Sequence, residues 1–218
     1  MTASADLLAD APRVDRTWRV IRVALVLGAA CVVGMLAAEP GSPVFYGLAV
    51  TAPVVWVGAS ARARRASGAR PPAGRGPVAA ATVGLLLGAA TFVGFLGLYL
   101  VVREWPLVGA GIDSILATAR AGPMPVIVTI AIWNGIGEEV FFRGTVYSAF
   151  EDRAPARRST LVYASVTALT LNPALTAASV VMGAMFAGLR RWSGGIVAPV
   201  VAHALWSALM VVVVGGLH

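Results

Sequence analysis

Lysine is absent from this 218-residue chain: all seventeen basic residues are arginine, and charge of either sign is scarce. Asp, Glu, Lys and Arg fill 12% of positions against 58% apolar residues, and the mean hydropathy is +0.82. That balance excludes a water-soluble domain of this size. One cysteine, Cys31, excludes an intramolecular disulfide and says nothing about an oxidising compartment. Within its apolar run it reads as a small packing residue. Also missing are His-Glu-x-x-His, Gly-x-Ser-x-Gly and a pair of Asp within apolar segments, so the zinc, serine and paired-aspartate constellations that those patterns carry are absent. One buried histidine cannot supply the usual three zinc ligands. No cofactor is therefore expected, while metal dependence stays open.

The formal charge of +7 invites a nucleic-acid reading. The arginines, however, lie between apolar blocks rather than along one face, which makes them topology signals and excludes a nucleic-acid partner. What the chain does have is apolar blocks about as long as a bilayer is thick, roughly 20 residues each. They fall at about 17–38, 43–60 (with Pro53 as a candidate kink), 78–102, 125–147, 159–172, 174–189 and 195–214. Residues 1–16 are a polar tail, and the first block, with no Ala-x-Ala before Glu39, reads as a retained span rather than a signal peptide. Residues 103–124 form a longer connection in which Ile112, Ile115, Leu116 and Ala119 keep helical spacing, as in a short surface helix. Gly84-x-x-x-Gly88 in the third block would permit close helix approach.

Seven spans with the N-terminus inside place Arg13–Arg22, Arg62–Arg75, Arg143–Arg158 and Arg190–Arg191 on the inner side. Only Arg103 and Arg120 are left outside. The fold expected is all-α: a polytopic bundle of about seven spans, N-terminus inside and C-terminus outside. It divides into a tail at 1–16, N-terminal membrane helices at 17–124 and a helical core at 125–214. No internal repeat supports an inverted-repeat transporter.

Glu138 and Glu139 stand near the inner end of the fourth block, in a setting where each charge costs about 2.5–3.5 kcal/mol on insertion scales. Arg143, four residues after Glu139, is in the favourable position for a helical ion pair. Glu138 is turned about 100° away and has no partner in its own turn. One carboxylate thus reads as structural and the other as a candidate base, although both could be solvated at headgroup level. His203 lies within the last block at comparable depth, with Ser207 one turn on. A packed histidine bonded to a carbonyl is the plainer alternative. Asn172 followed by Pro173 reads first as the N-cap of the sixth span, without forbidding the amide from facing a cavity.

At Glu138-Glu139-x-x-x-Arg143-Gly144, with His203 downstream, residues 125–214 resemble the CAAX-protease and bacteriocin-processing family of intramembrane endopeptidases, also called the Abi or CPBP family. The resemblance implies Glu138 as general base on a water, Glu139 and Arg143 as the pair ordering the site, and His203 as the histidine that helps hold the oxyanion. Two positions depart from the family pattern. Asn172 stands where the middle motif has His, and Ser207 where the last motif has Asn. Two functions follow: an endopeptidase acting on membrane-associated peptides or proteins, or a weakened or inactive member that binds a partner, as in self-immunity. A transporter has only the buried charge in its favour. The arginine-only, alanine- and glycine-rich composition suggests a bacterial plasma membrane.

Overall fold

The computed structural model describes residues 2–67, 74–151 and 153–216, and the side chains of 14–67, 74–106, 108–151 and 153–216. Arg70 and His218 and the side chain of Arg13 lie outside that set. The described residues contain helices and no strand. They are α1 (Thr2–Ala37), α2 (Pro43–Ser67), α3 (Pro77–Val102), α4 (Pro106–Ala119) and α5 (Met124–Glu138). The last continues through a π-helical segment π1 (Glu139–Val146) into α6 (Tyr147–Ala149). Then come α7 (Pro155–Ala168), α8 (Pro173–Ser193) and α9 (Val197–Leu209), extended by π2 (Met210–Val214).

Among the described residues six stretches are long and apolar enough to cross a bilayer: Val14–Ala37, Pro43–Ser67, Pro77–Val102, Met124–Ala149, Pro173–Ser193 and Val197–Val214. The fifth apolar block differs in detail from its sequence reading. Its helix begins at Pro155, four residues before the block expected at 159–172, and stops at Ala168 after 14 residues. Pro155 at the helix start follows Ala154 in the left-handed region, which sets the entry, and Leu171 in the same region ends the run. Fourteen residues span about 21 Å at 1.5 Å each, short of the roughly 30 Å hydrocarbon core.

Tethers between distant segments show that this short helix changes ends. At the arginine-rich end, the Arg75 amide donates to the Ser193 carbonyl (2.7 Å) and Arg190 Nε donates to the Arg143 carbonyl (3.0 Å). At the other end, Tyr46 Oη donates to the Ala121 carbonyl (2.9 Å) and Asn172 Nδ2 to the Gly111 carbonyl (2.9 Å). Asn172 therefore lies with α4, across the bundle from Arg143 and Arg190, as seven alternating segments require. The surface helix expected at 103–124 is α4, which lays Ile112 and Leu116 against Tyr99 and Val214.

Small residues set the helix contacts around the core. A Cβ on Gly84 would come within 2.6 Å of the Ala198 carbonyl oxygen, and one on Gly88 within 2.7 Å of that of Ala202. The Gly-x-x-x-Gly motif thus seats α3 on α9. Pro53 stays within a continuous α2, where it leaves the Ala49 carbonyl without its helical donor. Asn134 Nδ2 on α5 supplies that donor at 2.9 Å, and Gly137 sits directly against the proline ring. The loss of one backbone bond in α2 is thereby converted into a specific α2–α5 contact immediately before the glutamates.

Candidate active site

The two glutamates fall where the helix widens. α5 ends at Glu138 and π1 starts at Glu139, so the carboxylates lie on either side of a change in winding. Such π-helical turns are rare and often mark functional sites. Ser60 Oγ on α2 donates to the Val140 carbonyl at 3.3 Å, one of the groups displaced from regular α-helical pairing.

Glu139 is fully buried, and its Oε1 accepts two bonds: from Arg143 Nη1 at 2.8 Å and from His203 Nδ1 at 2.9 Å. A carboxylate only accepts, so Nδ1 carries the hydrogen and Nε2 is left as the ring's other polar atom. The bond to His203 joins residues 64 apart in sequence and fixes α9 against π1. Arg143 is also fully buried, its guanidinium carbon 4.6 Å from the Tyr163 ring centroid and 5.7 Å from that of Phe186. Aromatic faces thus assist Glu139 in holding the cation. Glu139 Oε2 and Arg143 Nε and Nη2 have no hydrogen-bond partner among the described residues. The cluster therefore keeps unused polar capacity in a buried setting.

Glu138 is held differently. It is half-buried, and its Oε2 accepts from Tyr163 Oη on α7 at 2.8 Å. Its other oxygen has no hydrogen-bond partner among the described residues. The sequence reading, which gave it no partner in its own turn, did not see this one because it comes from another helix.

His203 is clamped on both faces. The Phe186 ring centroid lies 5.0 Å from that of the imidazole, and a Cβ on Gly135 would come within 3.1 Å of its Cδ2. Gly135 thus lets the ring lie against the backbone of α5. Ser207, one turn further, is buried beside it. Two apolar clusters enclose the ionic group: Trp56, Phe141, Phe142 and Tyr163 on one side, and Phe186, Ala198 and Ala202 on the other.

Glu138, Glu139, Arg143 and His203 are therefore brought together. Asn172 is not part of their hydrogen-bonded group. Its Oδ1 accepts from the Leu175 amide at 3.0 Å, as an N-cap does, and its Nδ2 goes to Gly111. Sequence reasoning missed Tyr163, Phe186, Gly135 and Arg190. Gly135-x-Gly137 directly before the acids was the one local signal for close packing there. Among the described residues no three His, Cys, Asp or Glu side chains converge as a metal-ligand set.

Residues 120–209 match the family described as type II CAAX prenyl endopeptidase Rce1-like. The match contains every residue of the cluster and agrees with the resemblance carried by Glu138-Glu139-x-x-x-Arg143. Together with the apolar helices it supports a multi-pass membrane protein of the intramembrane-protease kind. No curated protein and no solved structure gives a match to the chain.

Proposed function

We propose that this chain is an intramembrane endopeptidase in which Glu138 activates a water for attack on a peptide bond of a membrane-associated peptide or protein. The observation that carries the reading is the unequal treatment of two adjacent carboxylates. Glu139 is sealed, neutralised by Arg143 and bonded to His203, whereas Glu138 is half-buried with one oxygen unpaired. A general base needs that free acceptor within reach of water. His203, oriented through Nδ1 by Glu139, acts as the imidazolium, whose second hydrogen lets Nε2 donate to the developing oxyanion, in surroundings where such a bond is strengthened by low polarity. Arg143, bonded to the same Glu139 oxygen, holds the carboxylate in place and so keeps the imidazole in that orientation. The step uses no cofactor. The arginine-only composition supports a bacterial plasma membrane as its location.

The test is cleavage of a panel of quenched peptides by the protein purified in detergent, wild type against Glu138→Gln. Turnover is expected in the wild type and lost in the variant; a variant that still cleaves sinks the mechanism. One observation favours a second reading, a non-catalytic member that binds a partner, as in self-immunity. Both ends of the Asn172 amide are taken up in capping and tethering, so the position where the family motif has His contributes no hydrogen bond to the cluster. Under that reading Glu138→Gln leaves the cellular phenotype intact, while a large residue at Gly135, driven into His203, abolishes it.

A further inference from the structure

Tyr163 touches both carboxylate systems at once. Its hydroxyl donates to Glu138 Oε2 at 2.8 Å, and its ring face lies 4.6 Å from the guanidinium carbon of Arg143, the cation that neutralises Glu139. The ring is packed at 5.0 Å on Phe142 and is buried, so the hydroxyl has little freedom of position. Glu138, by contrast, has no other hydrogen-bond partner among the described residues. Left alone, a glutamate with three side-chain torsions would sample several carboxylate orientations, of which few suit proton abstraction.

We propose that Tyr163 is the positioning residue of the site: it holds Glu138 by Oε2 so that Oε1 is the oxygen presented to water. This rests on the hydrolytic reading above. As the water oxygen bonds to the carbonyl carbon, its proton passes to Glu138 Oε1; as the carbon–nitrogen bond breaks, that proton passes to the departing nitrogen. Tyr163 keeps its own proton throughout. Because the same ring lies on Arg143, the aim of Glu138 is coupled to the integrity of the Glu139–Arg143 pair.

Tyr163→Phe removes the hydroxyl and keeps the ring on Phe142 and Arg143, so the fold is retained. In the full-length protein, kcat is expected to fall about 10- to 100-fold with KM unchanged, the range that misplacement of a reacting group produces. A raised KM at unchanged kcat, or no change in either, overturns the proposal. A second readout needs no substrate. A hydrophobic carbodiimide attacks protonated, unshielded carboxyl groups, and its product is seen by intact mass, with Glu138→Gln identifying the site. Removing the donor from Oε2 should make Glu138 label several-fold faster in Tyr163→Phe than in the wild type at the same pH; equal rates overturn the proposal. If the wild type cleaves no peptide, the hydrolytic reading fails, and the labelling comparison still decides whether Tyr163 governs Glu138.

Discussion

Replacing Arg143 by Met tests whether Glu139 is structural. The substitution keeps the volume and removes the cation. Glu139, fully buried, then keeps one donor of two, the His203 Nδ1 at 2.9 Å. Breaking a buried pair from one side costs about 3–5 kcal/mol, and the surviving imidazole bond puts this case near about 3. Glu139→Gln costs a similar amount for the opposite reason, since it strands a cation two of whose nitrogens already lack partners. The double variant Glu139→Gln/Arg143→Met removes both charges. It forfeits the cation–aromatic contacts and leaves His203 with a neutral acceptor, about 2 kcal/mol in all. The double should therefore fall short of the summed singles by about 4 kcal/mol. At about 2–4 °C per kcal/mol for a chain of this length, each single lowers the melting temperature by about 6–12 °C. The assay is tryptophan-monitored thermal unfolding in detergent, with Glu138→Gln alongside. That variant still accepts from Tyr163 and should move by less than about 1 kcal/mol. The reasoning is refuted if the double equals the sum of the singles, or if Glu138→Gln destabilises as much as Glu139→Gln.

The other expectations concern packing, the α7–α8 turn and metal. Gly88→Ala places a Cβ 2.7 Å from the Ala202 carbonyl oxygen and forces α3 off α9, lowering stability by about 1–3 kcal/mol. Gly94→Ala on the same helix meets nothing within 4 Å and should be neutral or stabilising in the same melt. Asn172→Ala loses the α8 cap and the bond to Gly111, about 2 kcal/mol together. Asn172→His loses the same cap without raising peptide turnover; a gain would place the imidazole beside Glu138 and contradict the arrangement described. Prolonged chelation with EDTA should leave turnover unchanged, and activity lost to EDTA but restored by zinc would overturn the metal-free step.

Much of the architecture was legible because a bilayer constrains sequence so strongly. Span length follows from hydrocarbon thickness, and the alternation of fifteen inner against two outer arginines follows from the charge rule for loops. The tethers at the two ends repeat that alternation. The Glu139–Arg143 pair was legible for a local reason, since residues four apart on a helix are neighbours whatever else the chain does. Asn172 as a cap was legible on the same grounds. The length of α7 was not, because a left-handed Ala154 before Pro155 leaves no mark in an apolar pattern.

The sequence by itself determined that this protein crosses a membrane as helices, roughly where each begins and ends, and that two acids stand where acids are costly. Only the tertiary structure decided what each acid meets. Glu139 was closed in when α9 brought His203 to the oxygen already held by Arg143, and Glu138 gained its one partner among the described residues when α7 brought Tyr163 to it. Such contacts depend on how helices rotate and approach, through glycines at 84, 88, 135 and 137 and a proline at 53. Periodicity identifies which face of a helix is buried. It carries no information about which atom of another helix that face will meet.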